Sequence, residues 1–416
     1  MPSIHHDAQT IIKNVIADNM PQSAVLDALT QHQFKENIYI VAIGKAAWTM
    51  AKAASDFLGS KLTKGIVITK CGHAQGDLPR MDIFEAGHPI SDAHTIEATQ
   101  KCIDLAKGLT VSDELLFLVS GGGSALFEKP LEGVSLTDIQ DITNQLLSSG
   151  ADIVAMNMVR KRLSAVKAGR FAALAAPAQI FSVVLSDVLG DRLDSIASGP
   201  AVSDISTVED ALRVIRKYNL NLSPVQMEYI SQETPKDIQN VKTVVTGSVK
   251  ILCESAARAA SNLGYTPYIL TTTMHCEASE AGRFLASIAA DTQNSHNAFA
   301  KPCAIIAGGE TVVTVKGRGK GGRNQEMALS AANGIAGLED TVIFALGSDG
   351  TDGPTNAAGG IVDGNTVQKL KNAGIDIDKM LADNDAYHGL QAVDGLIITG
   401  PTGTNVNDVA VVLCRS

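Results

Sequence analysis

Residues 115–130 read LLFLVSGGGSALFEKP. Five apolar residues run without a break into Ser120, three consecutive glycines and Ser124. An unbroken apolar run of this length suits a strand buried on both faces. Such strands belong to mostly parallel sheets covered by helices. The glycines mark where the strand stops. Lacking Cβ atoms, they let the backbone turn its N–H groups outward and approach a ligand closely. An anion, most often phosphate, is the expected guest. A merely tight turn needs one or two glycines, and this one has three.

The same alternation extends outward from that stretch. Strands are expected over residues 38–43, 65–69, 82–86, 115–119 and 180–185. Helices are expected over 46–58, 93–107 and 135–147. SLTD at Ser135 to Asp138 is a capping-box pattern, and STVE at Ser206 to Glu209 opens another helix in the same way. Strands alternating with helices predict βαβ units. Residues 218–240 break the rhythm, being polar and holding Pro224 and Pro235. A domain boundary is placed there, giving domains 1–232 and 236–416. Beyond it come VKTVVTG, YTPYILTTT, CAIIAGGE, ETVVTVKG, TVIFALGSDG, DGLIITG and DVAVVLCRS, each read as a strand. The expected fold class is α/β: two α/β domains with parallel or mixed sheets flanked by helices. The active site is expected in the interdomain cleft.

Composition narrows the function classes. The 416 residues carry a formal charge of −10, which argues against a nucleic-acid partner. No apolar run approaches the roughly 20 residues of a membrane span. The start, MPSIHHDAQTIIKNV, lacks the basic and apolar blocks of a secretory signal. Six cysteines without a CxxC pair read as free thiols in a reducing cytoplasm, and zinc is not expected.

Several loops follow a strand directly, where ligands bind in open α/β sheets. Lys45, after Gly44 in IYIVAIGKAA, can reach a phosphate or carboxylate beside a helix start. Asp187 ends a strand in VVLSDVLGDRLDSIASGPAVSD and is the best candidate for a Mg²⁺ ligand or general base. Asp191 and Asp194 read equally well as surface charges. In NMVRKRLSAVKAGR, the cations Arg160, Lys161, Arg162, Lys167 and Arg170 read mainly as a solvated helical face, with one or two turned toward the cleft. FALGSDGTDGPTNAAGG sets Asp349 and Asp352 on a glycine-rich tip that fits a metal-bearing site. In LIITGPTGTNVNDVAVVL, Thr402, Thr404, Asn405, Asn407 and Asp408 either line a pocket or cap turns.

The stretch 314–332, TVKGRGKGGRNQEMALSAA, threads Lys316, Arg318, Lys320 and Arg323 through four glycines. Residues 317–322 formally match G-x-G-x-x-G, the dinucleotide fingerprint. The preceding ETVVTVKG is too polar for the first strand of such a fold, and the turn carries bulky cations. Asp349 also comes too late to bind a ribose. No G-x-x-x-x-G-K-[ST] occurs. What remains is a flexible cationic loop able to close on a polyanion, as phosphoryl transfer requires.

Together, VAIGKAAWTM, LVSGGGSALFE, LSDVLGDRLDSIASGPAVSD, GGETVVTVKGRGKGGRNQEMAL, GSDGTDGPTNAAGGIVD and GPTGTNVNDV closely resemble the class II glycerate 2-kinase family. This family has a C-terminal MOFRL domain, and its members are often labelled hydroxypyruvate reductase. The resemblance runs in order along nearly the whole chain. It implies two α/β domains around a deep cleft and ATP-dependent phosphorylation of D-glycerate (R configuration) to 2-phosphoglycerate with a divalent metal. It also implies that Lys45 and Arg323 handle the substrate. With that support, nucleotide phosphates are assigned to Gly121, Gly122, Gly123 and Ser124, with Lys320 and Glu310. Mg²⁺ is assigned to Asp187, Asp349 and Asp352, and Asp187 is favoured to orient or deprotonate the C2 hydroxyl. The expected partners are D-glycerate and nucleotide, with a homodimer left open. The rivals are an NAD(P)H-dependent hydroxypyruvate reductase, phosphorylation at C3, and a catalytically idle anion-binding protein.

Overall fold

The computed structural model describes residues 3–190, 192–295 and 299–416. The chain divides into two compact units. The first is Ala24–Thr246. The second joins the segment up to Ser23 to Gly247–Ser416.

The first unit is built on β1 (Asn37–Ile43), β2 (Leu62–Lys70), β3 (Met81–Ala86), β4 (Asp113–Val119), β5 (Gln179–Leu185) and β6 (Val241–Gly247). Their order in the sheet is β3-β2-β1-β4-β5-β6. β1 pairs in parallel with both β2 and β4, as do β2 with β3 and β4 with β5. This is a doubly wound order, and its direction reverses between β1 and β4. Every residue of β4 is buried. Leu115, Phe117 and Val119 join one core, while Leu116 and Leu118 join the core on the opposite face. The apolar run therefore marked a doubly covered strand.

The second unit holds β7 (Thr266–Met274), β8 (Cys303–Gly309), β9 (Thr341–Gly347), β10 (Gly359–Asp363), β11 (Leu396–Ile397) and β12 (Asp408–Cys414), ordered β11-β10-β9-β12-β8-β7. β7 and β8 are parallel, while β12 runs antiparallel between β8 and β9. Asp408, the first residue of β12, lies opposite both Gly309 and Gly347, which end β8 and β9. One edge of this mixed sheet thus gathers three strand ends.

The structure corrects three expectations about organisation. First, residues 218–240, where the rhythm breaks, hold a helix. Ser223 and Gln226 form a capping box, Pro224 occupies the first turn, and a helix runs Pro224–Ile230 with Ile230 buried. The units divide after residue 246 instead. Second, the segment up to Ser23 belongs with the second unit. Its helix, Ile4–Asp18, accepts a hydrogen bond from the Tyr265 hydroxyl at Asp7 (2.8 Å) and one from Ser255 at Asp18 (2.6 Å). Third, ETVVTVKG forms no strand. Only Val312 makes a bridge, to Glu277. Smaller shifts follow cap chemistry: Thr207, not Ser206, caps the helix Val208–Tyr218, in a capping box with Asp210. Among the described residues, no helix is long and apolar enough to cross a membrane.

Candidate active site

In the first unit, the ends of β1 and β4 meet at the reversal of strand order. The Lys45 N–H donates to Gly121 O (2.9 Å), and the Ser120 N–H donates to Ile43 O (3.0 Å). Ser120 Oγ accepts from the Ala46 N–H (3.1 Å), at the start of the helix Ala47–Leu58. Gly44 has φ +114°, and a Cβ there would overlap Ser120. Only glycine allows the two strand ends this approach. The glycine turn is equally close on its other side, where a Cβ on Gly121 would overlap the Asp187 carboxylate. A Cβ on Gly122 would stand 3.0 Å from the His88 ring and 3.3 Å from Lys45 Cγ. Lys45, Gly121, Gly122, Asp187 and His88 therefore surround one turn, as ligand binding outside the carboxyl ends of strands requires.

His88 was not legible in the sequence as a lone histidine. Its signal was position, two residues after β3 ends. Burial, then the charge of Lys45, holds its pKa below the ordinary histidine value.

Beneath the turn, Gly123–Leu126 form one helical turn. Ser124 Oγ lies 3.0 Å from Ser198 Oγ. Lys167 is fully buried. Its ammonium donates to Ser124 O (2.7 Å) and Phe127 O (3.2 Å) and stands 3.1 Å from Glu128 Oε2, itself buried. Burial lowers the Lys167 pKa and Glu128 opposes that. This overturns the solvated reading of the basic run. The helix ends at Arg160, a tight turn follows at Lys161–Leu163, and helix resumes only at Arg170. Helical spacing therefore never applied across it. Lys161, Arg162 and Lys167 are buried: the Lys161 ammonium stands 3.7 and 3.9 Å from the Asp194 and Asp204 carboxylates, Arg162 donates from Nη1 and Nη2 to the Gln232 and Ser206 carbonyls, and Lys167 donates to Ser124 O and Phe127 O. Asp194 pairs with Arg192 and Lys161 rather than standing as an idle surface charge. Asp191 lies outside the described residues.

In the second unit, Arg323 opens the helix Arg323–Ala331. Its Nε donates to Asp408 Oδ2 (2.6 Å), Nη2 to Asp408 Oδ1 (3.1 Å) and Nη1 to Glu310 Oε1 (2.8 Å). The fork is thus fixed by two acids at the strand ends, and two of its five N–H groups remain. Burial pushes the Asp408 carboxyl up to about 6, and Arg323 works against that rise. The two acids in turn raise the Arg323 pKa, which burial alone would lower. The two shifts pull opposite ways for an ionised pair. The bidentate contact decides it: above about pH 6 both groups are charged. A cavity of about 650 Å³ is lined by Arg323, Asp349, Asp352, Gly322, Glu326 and Asn384 among others.

Three expectations change here. Asp352 is buried and both its oxygens are occupied: Oδ1 accepts from the Asn324 N–H (3.2 Å), and Oδ2 from the Gln325 N–H (2.8 Å) and Nε2 (3.0 Å). It holds the helix start and is poorly suited to a metal. Lys320 rests its ammonium 4.3 Å from the Tyr387 ring centre and does not line the cavity. Glu310 is engaged in orienting Arg323, and a carboxylate offers nothing to a phosphate.

The cationic loop itself is clamped rather than flexible. Asn384 Oδ1 accepts from the N–H groups of Lys316 (2.7 Å) and Gly317 (2.9 Å), Asp383 Oδ1 from Arg318 (2.9 Å), and Asp385 Oδ1 from Lys320 (2.9 Å). Asp349 is half-buried, and its Oδ1 accepts from the Thr351 N–H (3.0 Å). Among the described residues, no group of three His, Cys, Asp or Glu side chains is arranged to hold a metal ion. Mg²⁺, which keeps several waters and uses one or two carboxylates plus substrate phosphates, needs no such cage. Asp187 and Asp349 fit that mode.

Two family profiles match the chain. A domain of unknown function, DUF4147, covers residues 7–231, and the MOFRL family covers residues 303–408. The chain is 51% identical to a D-glycerate 2-kinase of Thermotoga maritima over 96% of each protein. A solved structure of a glycerate kinase from Thermotoga maritima superposes with a TM-score of 0.96 at 51% identity, covering 98% of this chain and 99% of that one. A relative from Agrobacterium vitis, 37% identical over 97% of this chain and 93% of its own, carries the hydroxypyruvate reductase label.

Proposed function

This chain belongs to the class II glycerate 2-kinase family, and we propose that it phosphorylates D-glycerate at C2 with ATP, giving 2-phosphoglycerate. The observation that carries the reading is the turn where β1 and β4 end: Lys45 bonded to Gly121, with Asp187 against the same glycine. Backbone N–H groups of Gly121, Gly122, Gly123 and Ser124 suit the nucleotide phosphates. The Lys45 ammonium suits the transferring phosphoryl group or the glycerate carboxylate. In the second unit, Arg323, fixed by Asp408 and Glu310, has two N–H groups left for a carboxylate or phosphoryl group. Asp187 takes the C2 hydroxyl proton as that oxygen attacks the terminal phosphorus, and ADP leaves. Mg²⁺, held by Asp187 or Asp349 with phosphate oxygens, would neutralise charge on the nucleotide. The six thiols, none bonded to another, fit a reducing cytoplasm.

Sheet order alone also suits a dinucleotide, and one label among the relatives points to a reductase. The turn after β1 is the place for a dinucleotide fingerprint, yet it reads IGKAA. The Gly317–Gly322 match follows no strand. A coupled assay decides: ADP release with D-glycerate is expected, and NADH oxidation with hydroxypyruvate is not. The reverse result overturns the kinase reading. Phosphorus NMR of the product separates C2 from C3.

A further inference from the structure

A second cavity in the first unit, about 860 Å³, is lined by the end of the helix Ala93–Lys107, by residues 129–134 and by the helix Arg170–Ala175. Its charged lining is Lys107, Lys129, Arg170 and the single acid Glu132. Arg170 is held from one side only. Its Nη1 donates to Lys161 O and Ser164 O, both at 2.7 Å. Among the described residues, its Nε and Nη2 have no protein partner, and Lys107 and Lys129 pair with no carboxylate. Beside these cations the wall is apolar: Ile103, Leu131, Val134 and Leu174.

A half-buried guanidinium with a fixed geometry and an open edge is an incomplete fork, and carboxylate or phosphate is the group that completes it. Burial, followed by the like charge of Arg162, lowers its pKa, so an anion there gains more than at an open surface. We propose that this cavity is a second anion site, taking a small phosphate ester or carboxylate with an apolar body. The anionic group meets the Arg170 edge with Lys107 and Lys129, and the apolar body lies on Leu131, Val134 and Leu174.

The site is wired to the glycine turn. Arg170 braces the carbonyls of Lys161 and Ser164. The same strip pairs with the chain leaving the turn: the Ala165 N–H donates to Lys129 O (2.7 Å) and the Leu131 N–H to Leu163 O (2.9 Å). Lys167, two residues on from Ala165, holds Ser124 and Phe127.

The test is calorimetric titration of the full chain with phenyl phosphate as probe, in saturating D-glycerate and a non-hydrolysable ATP analogue. One equivalent is expected to bind with Kd at or below about 1 mM. Lys107→Ala with Lys129→Ala, both outside the catalytic machinery, should weaken it at least about tenfold, and so should Arg170→Lys, which keeps a donor but not the planar edge. No saturable binding, or unchanged binding in the lysine double variant, overturns the site. Equal affinity for inorganic phosphate overturns the ligand class, because the apolar wall would then contribute nothing. The lysine variant removes only partial surface charges, so the outcome does not depend on Arg170→Lys folding.

Discussion

Arg323 and Arg318 stand five residues apart on one glycine-rich stretch and have opposite surroundings. Arg323 is gripped at three nitrogens by Asp408 and Glu310, whereas Arg318 is exposed, with only its backbone held. Arg323→Ala should therefore cut kcat/KM by about two to four orders of magnitude, the scale of an arginine in phosphoryl transfer. Arg318→Ala should cost far less. Arg323→Lys should restore only part of the loss, since an ammonium cannot reproduce the two-pronged contact. Steady-state kinetics on variants checked for folding by circular dichroism decide it, and a larger loss in Arg318→Ala refutes the assignment.

Asp408 adds a pH signature. Its carboxyl, raised to about 6, must be ionised to hold the fork, so kcat/KM should fall as pH drops through about 6. Asp408→Asn should lower activity throughout and erase that limb. The sign for stability is opposite. An acid raised in the native state favours folding when protonated, so its contribution declines as pH rises from about 4 to about 6. A pH–rate profile unchanged in Asp408→Asn would rule out this role.

At the scale of elements, the glycine turn depends on a cation no solvent reaches. Lys167→Met strands the Glu128 carboxylate in a dry site and frees two carbonyls of the helical turn. A loss of about 3–5 kcal/mol in urea unfolding is expected, with much of it recovered in the Lys167→Met/Glu128→Leu double variant. Because the double variant still lacks the donor to Ser124 O, its KM for ATP should stay raised. Recovery of both stability and KM would make the pair purely structural.

Lys167 also marks where the sequence stops being readable. Strand runs such as residues 115–119 announce themselves because burial on both faces leaves no polar position. Capping boxes are local, so Ser135 and Asp138 sit where their spacing puts them. Lys45, Asp187 and the glycines could be placed because strand tips are where sheets bind ligands. A charged side chain carries no such mark. Whether Lys161, Arg162 and Lys167 face water or core depends on a turn at residues 161–163 that only tertiary packing creates. Asp352 and Asp349 look alike in sequence and line the same cavity, yet Asp352 spends both oxygens on the start of a helix 28 residues upstream, whereas Asp349 accepts from the Thr351 N–H in its own turn. ETVVTVKG alternates like a strand, but its backbone donors go to Met274, Cys276 and Glu277 at one end and to Asn384 at the other, partners invisible at short range.

For the whole molecule, turnover should require ATP and a divalent cation, and excess EDTA should abolish it. Restoration by Mg²⁺ after dialysis, followed as ADP release, checks the point, while full turnover in chelator would refute it. The helix Ile4–Asp18 carries a further consequence. Ile4, Ala8, Ile11, Ile12 and Val15 are buried, yet the partners of this helix, among them Ser255, Tyr265 and Asp363, lie far downstream. On the ribosome, Ala24–Thr246 can complete its sheet while this apolar face still waits for residues not yet made. Synthesis therefore exposes a sticky amphipathic segment for longer than any other part of the second unit. A nascent chain arrested near residue 246 should crosslink to chaperones through residues 4–15, and release of the full chain should end that contact.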